Sequence, residues 1–196
     1  LIGDCQGLLL PITGSTNTPG YAEHVAISGN YACVADGSSG LQVIDISVPS
    51  SPSLVGNIDT PGYAGSVAVF ASYAFVANGL MGLQVIDISV PSSPSIVSSV
   101  NTPGYAWSVA VSGTHAYVAD GASGLQIIDI SVPSSPSTVR AIDMGYAYGV
   151  GISNSFAYIV DGSATLHVID ISVPSSPSIA GTASYPACLR CNAGFS

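Results

Sequence analysis

One string governs what this chain can fold into. VIDISVPSSPS begins at Val43 and again at Val85, and returns as IIDISVPSSPS at Ile127 and VIDISVPSSPS at Val168. The spacings are 42, 42 and 41 residues. The dipeptide Gly-Tyr keeps the same step, at Gly20-Tyr21, Gly62-Tyr63, Gly104-Tyr105 and Gly145-Tyr146. The last step is short because TPGYA becomes MGYA. A period of this length marks an array of like units, each of which buries its apolar surface only against its neighbours.

Each unit reads as four short strands. The first is VAIS (25–28), matched by VAVF (67–70), VAVS (109–112) and VGIS (150–153). The second is YACVA (31–35), matched by YAFVA (73–77), HAYVA (115–119) and FAYIV (156–160). Gly29-Asn30 between them is a good hairpin dipeptide. DGSSG (36–40) turns the chain into LQVIDIS (41–47), a Pro-Ser-Ser-Pro connector follows, and a fourth strand is expected near Ser53–Ile58. No window carries the 3.6-residue apolar period of a helix. Units of about 42 residues with four strands predict an all-β fold, a β-propeller of four blades. The expected organisation is one propeller domain over 1–183, with repeats near 20–61, 62–103, 104–144 and 145–183. Residues 8–19 read as an extra N-terminal strand and 184–196 as a Cys-containing tail.

LQVID (41–45), LQVID (83–87), LQIID (125–129) and LHVID (166–170) resemble the motif that names the LVIVD-repeat proteins. The resemblance spans about residues 20–183. It implies a propeller-like fold in secreted or surface proteins, with no single assigned activity. This chain departs from it in having only four complete units, the lower limit for a closed ring.

Charge narrows the function classes. The 196 residues include 2 cations, Arg140 and Arg190, against 11 acidic residues, for a net charge of −9. Two cations cannot neutralise a nucleic-acid backbone, and they form no basic patch for an anionic membrane. No apolar run approaches the roughly 18 residues of a membrane span. Nucleic-acid partners and membrane insertion are therefore not expected. Association would rest on backbone pairing, apolar contact, disulfides or glycans, and self-association or other surface proteins and glycans are the expected partners.

The ends differ from the repeats. Leu1 rather than Met suggests a processed chain or a segment of a longer one. LLLPITGSTNTP (8–19) aligns with LVGNIDTP (54–61), although the last unit already has a fourth-strand candidate at 178–182. The surplus strand could close the ring, extend an edge or pair with a neighbouring molecule. Four cysteines, Cys5, Cys33, Cys188 and Cys191, suit an oxidising extracellular setting, with four free thiols in a cytosolic protein as the alternative. Cys33 replaces Phe75, Tyr117 and Tyr158 of the other units, so it is a buried thiol or pairs with Cys5. A bridge from Cys5 to Cys188 or Cys191 would instead join the two ends. The tail PACLRCNAGFS resembles the start of a Cys-rich extracellular repeat and suggests that the natural chain continues.

Catalytic chemistry is hard to find. His24, His115 and His167 occupy unrelated repeat positions, so they are not expected to converge. Asp36, Asn78, Asp120 and Asp161 open a Gly-containing turn and are expected to hold it through backbone N–H groups. They lack the dense alternation of a calcium loop. No enzyme, metal or cofactor is expected. Two surface features remain. After each Tyr-Ala the next pair varies: Glu23-His24, Gly65-Ser66, Trp107-Ser108, Tyr148-Gly149. With Tyr21, Tyr63, Tyr105 and Tyr146, the residues His24, Trp107 and Tyr148 would form an aromatic rim able to stack on a sugar or a partner side chain. The bland alternative is inter-blade packing by the tyrosines and drift in the variable pairs. The connectors Pro49-Ser50-Ser51-Pro52, Pro91-Ser92-Ser93-Pro94, Pro133-Ser134-Ser135-Pro136 and Pro174-Ser175-Ser176-Pro177 are stiff and are candidate O-glycan sites. The reading is an extracellular structural repeat protein, a subunit of a surface layer, appendage or filament assembling by strand addition, terminal disulfides or both. The alternative is an adhesin or carbohydrate- or protein-binding propeller using the aromatic rim.

Overall fold

A computed structural model of the chain describes residues 12–184. They form sixteen strands in four antiparallel four-stranded sheets, each a meander in chain order. The first sheet holds β1 (His24–Ser28), β2 (Tyr31–Ala35), β3 (Leu41–Asp45) and β4 (Ser53–Ile58). The second holds β5 (Ser66–Phe70), β6 (Tyr73–Ala77), β7 (Leu83–Asp87) and β8 (Ser95–Val100). The third holds β9 (Ser108–Ser112), β10 (His115–Ala119), β11 (Leu125–Asp129) and β12 (Ser137–Ile142). The fourth holds β13 (Ala147–Ser153), β14 (Phe156–Asp161), β15 (Thr165–Asp170) and β16 (Ser178–Ser184).

The third strand ends two residues earlier than the pattern suggests. Its terminal aspartate explains this. Oδ1 of Asp45 accepts the Ser47 N–H at 2.8 Å, and Asp87, Asp129 and Asp170 do the same for Ser89, Ser131 and Ser172. That local bond turns the chain out of the ladder. A proline turn follows, in which the Ser51 N–H returns to the Val48 carbonyl at 2.9 Å and Pro49 takes the position its ring prefers.

The sheets pack face to face in sequence. Cys33, Ala35, Leu41 and Val43 of the first sheet meet Ala64, Val67, Val76 and Ile86 of the second. Phe75, Ala77, Leu83 and Val85 meet Ala106, Val109, Val118 and Ile128 in the same way. Tyr117, Ala119, Leu125 and Ile127 meet Ala147, Val150, Ile159 and Ile169. Because the middle strands of the second and third sheets are covered on both faces, they read as continuous apolar runs. The small side chains of Ala64, Ala106 and Ala147 are fully buried, and each pairs by its backbone with a glycine of the preceding sheet, Gly37, Gly79 and Gly121.

The innermost strands β1, β5, β9 and β13 contact one another in series, and no comparable contact joins the fourth sheet to the first among the described residues. The expected four-blade arrangement is therefore present as four packed sheets, without the closed ring of a propeller. The expected extra strand also differs. Residues 12–19 belong to no sheet, and residues 8–11 lie outside the described residues.

Candidate functional site

The Gly-Tyr pair works at each joint between sheets. A Cβ on Gly20, Gly62 or Gly104 would fall 2.3, 2.3 or 2.0 Å from the carbonyl oxygen of Asp36, Asn78 or Asp120, so no other residue fits there. The tyrosine that follows lies over the turn glycine of the preceding sheet: Tyr63 over Gly37, Tyr105 over Gly79, Tyr146 beside Gly121. Three of the four expected rim tyrosines are thus packing groups between sheets. Among the described residues Tyr21 has no preceding sheet, and it is 75% exposed.

The tyrosine hydroxyl reaches the variable pair of the preceding unit. Tyr63 donates to the Glu23 carboxylate, and this bond pushes the Tyr63 phenol up to about 12. Trp107 Nε1–H donates to the Tyr146 oxygen at 3.3 Å. Tyr105 and Trp107 rings lie 4.3 Å apart, Trp107 and Tyr148 5.6 Å, and Tyr148 and Tyr146 4.6 Å. This continuous aromatic strip ends at a recess of about 440 Å³ between Tyr146, Tyr148 and the Gly162–Ser163 turn. His24 stands apart from it: its Nδ1 accepts the Val67 N–H at 3.4 Å.

The aspartates at the turns act differently from expectation. Asp36 Oδ2 accepts the Gly20 N–H at 2.8 Å and Oδ1 accepts the Thr18 hydroxyl at 2.7 Å. Asp120 repeats this with Gly104 and Thr102 at 2.9 and 2.5 Å, and Asn78 accepts from Thr60 at 2.8 Å. They therefore clamp the incoming Thr-Pro-Gly linker, while backbone bonds such as Asp36 N–H to the Gly40 carbonyl hold the turn itself. All three are fully buried. Burial raises the Asp120 carboxyl above its ordinary value, against the lowering effect of Thr102 and Gly104.

The other candidates scatter. His115 and His167 lie on different sheets, and among the described residues no group of three His, Cys, Asp or Glu side chains could hold a metal. Cys33 is a free thiol with no exposure, and burial pushes it up to about 11. Cys5, Cys188 and Cys191 lie outside the described residues. All eight connector serines are exposed, while the eight prolines range from exposed Pro49 to buried Pro94.

A family model for the LVIVD repeat matches four times, over residues 19–60, 61–102, 103–143 and 144–184. The chain belongs to the LVIVD-repeat family. No curated protein matches it. Among solved structures it is similar to a protein from Lactobacillus plantarum, with 14% identity and a TM-score of 0.74 over 85% of this chain and 57% of that one. It is also similar to two computationally designed proteins. Ika8 matches at 8% identity and a TM-score of 0.64, over 81% of this chain and 48% of Ika8. Ika4 matches at 12% identity and 0.66, over 80% and 94%. These likenesses show the fold alone. The chain spans about half the length of Ika8 and of the Lactobacillus plantarum protein.

The fourth LVIVD repeat departs from the other three in its innermost strand, which carries a register shift between Ala147 and Gly149, and in the turn at Asp161. Gln42, Gln84 and Gln126 each donate to a carbonyl of their own turn, at 2.6, 3.1 and 2.8 Å. His167 stands in their position, and its Nε2 lies 2.9 Å from Asp161 Oδ2. Met144 has replaced the Thr-Pro of the linker, so no linker threonine donates its hydroxyl to Asp161. Asp161 instead accepts the N–H groups of Ser163 and Thr165, and with His167 these hold its carboxyl well below the usual range. Only here does the turn aspartate hold its own turn.

Proposed function

We propose that this LVIVD-repeat chain is a structural module of an extracellular assembly, a subunit of a layer, appendage or filament. The observation that carries the reading is the state of its two end faces. Val25 and Ile27 on the first sheet are 53% and 60% exposed, whereas Val67 and Val109, at the Val25 position of later repeats, are 1% and 4% exposed. On the fourth sheet Tyr158 and Val160 are 36% and 48% exposed, whereas Tyr117 and Ala119 are at 2% and 0%. Surfaces built like the interior core and left uncovered are association surfaces. Propeller-type packing would then continue between subunits rather than close within one.

Of the two routes expected for assembly, strand addition finds poor edges. The outer strands β4, β8, β12 and β16 all carry a one-residue register shift at the same position, at Val55, Val97, Val139 and Ala180. Such bulges, next to a proline connector, spoil an edge as a pairing template. Disulfides among Cys5, Cys188 and Cys191 remain compatible with covalent reinforcement of contacts made by the faces. The exposed connector serines are available for O-glycans. Light scattering on the purified chain tests the reading: species larger than one chain are expected, and a monodisperse single chain at every concentration overturns it.

The aromatic strip favours a second reading, a binding surface for neutral sugars, which stack on exposed tyrosine and tryptophan faces. Calorimetric titration with glucose and N-acetylglucosamine hexamers, on the native chain and on Trp107→Ala, tests it. Heat absent from the native chain removes this reading.

A further inference from the structure

We infer that the uncovered faces of the first and fourth sheets are the two halves of one joint, and that each fits a second copy of this chain docked head to tail. The inference rests on the assembly reading above and names the contact. The molecule makes this joint three times internally from the same parts. A fourth copy of one half is present at Tyr158, Val160, Leu166 and Val168. A first copy of the other half is present at Val25, Ile27, Ala32, Val34 and Ile44, of which Val25 and Ile27 are exposed while Ala32, Val34 and Ile44 are already buried beneath them at 6–7%. One chain carries both halves, so a second copy supplies what each face lacks. The contact is heterologous, and copies joined this way form a ring or an open run.

The tyrosine peg points the same way. In each internal joint the Gly-Tyr tyrosine of the following sheet lies on the turn glycine of the preceding one. Among the described residues Tyr21 is a peg without a socket, and the recess beside Gly162, where Tyr148 lies 3.0 Å from a Cβ placed on that glycine, is the matching place open to a second copy. The match extends to the neighbour. Trp107 borders Gly121 and meets the Tyr146 hydroxyl; Tyr148 borders Gly162 and would meet the hydroxyl of a second copy's Tyr21. The socket also corresponds to the aromatic recess, so a sugar and a second copy would compete for it.

The outer edge adds a condition. A Cβ on Gly56 of β4 would meet the Pro91 carbonyl of the next connector at 2.1 Å. Gly14, at the same place in the pattern, meets the Pro49 carbonyl at 2.3 Å, whereas Gly181 of β16 has open space. Residues 12–17 therefore occupy, against the first sheet, the position that β16 of a docked copy takes. Docking displaces them, and they restrain association.

Val160→Asp and Ile27→Asp test the joint, with Val132→Asp on an exposed connector as the control. All three sites are open to solvent, so each variant should keep the native circular dichroism. Each face variant alone should lose every species above monomer, and the control should assemble as the native chain does. Mixed in equal amounts, the two face variants should give dimers and nothing larger, because each retains one sound half. Removal of residues 1–16 should increase assembly. If the native chain assembles and both face variants do so equally, or their mixture stays monomeric, the joint is wrong while the assembly reading stands. Loss of assembly on removing residues 1–16 also overturns it, in favour of strand donation by that segment. If the native chain itself stays monomeric, the assembly reading falls with it.

Discussion

The buried clamp is the clearest residue-scale device. Thr18, Thr60 and Thr102 each give a hydroxyl to the acid or amide that opens the next turn, which joins a linker to the sheet it enters. A hydrogen bond to a charged group contributes about twice that of a neutral pair. Thr102→Val should therefore cost about 2 kcal/mol and Thr60→Val about 1 kcal/mol, read from urea unfolding. The carboxylates divide by environment. Hydrogen bonds from the serine two residues on hold Asp45, Asp87, Asp129 and Asp170 below the usual range. Their contribution is present above the unfolded value, near 4, and is lost as pH falls through the lower folded value. Asp120 has the opposite sign: its raised carboxyl favours folding at low pH, and that advantage is lost as pH rises through its folded value. Asp87→Asn should flatten the acid limb of the stability curve. Asp120→Asn should gain on the native chain as pH rises from about 4 to 7. Cys33, buried and held protonated, should resist alkylation until the chain unfolds, which mass spectrometry after iodoacetamide treatment would register.

At the scale of elements, the strands were legible because alternate positions, turn residues and proline connectors all repeat in phase. Strands β2 and β4 match their expected limits of 31–35 and 53–58. The third strand is shorter than its pattern because its aspartate, which looks like any strand residue in sequence, bonds to Ser47. The outer bulge was not legible, since Val55 carries no signal that separates it from its neighbours. The clamp is half legible: the acid stands out at the head of each turn, but its partner lies 18 residues away in the preceding linker. Equivalent positions now give a graded prediction. Leu83→Ala and Leu125→Ala remove fully buried side chains and should each cost about 2–5 kcal/mol. Val25→Ala, half exposed at the end face, should cost well under about 1 kcal/mol in the isolated chain.

For the whole molecule, the repeat dictated four like sheets but could not say whether the ring closes. Closure depends on the angle between sheets, which packing sets and no residue pattern encodes. The aromatic rim illustrates the same limit. Its tyrosines were visible in sequence, yet only the structure shows that three of them lie on glycine turns while Tyr21 lies on none. With two cations in 196 residues, ion pairs cannot organise contacts between subunits. Association through apolar faces should hold from about 0.05 to 0.5 M salt, where screened charge contacts weaken. Sedimentation equilibrium over a range of concentrations, in reductant, tests the central claim most directly. The account predicts a mean mass that rises above 19.6 kDa with concentration and does not change with salt. A constant 19.6 kDa at every concentration would contradict it.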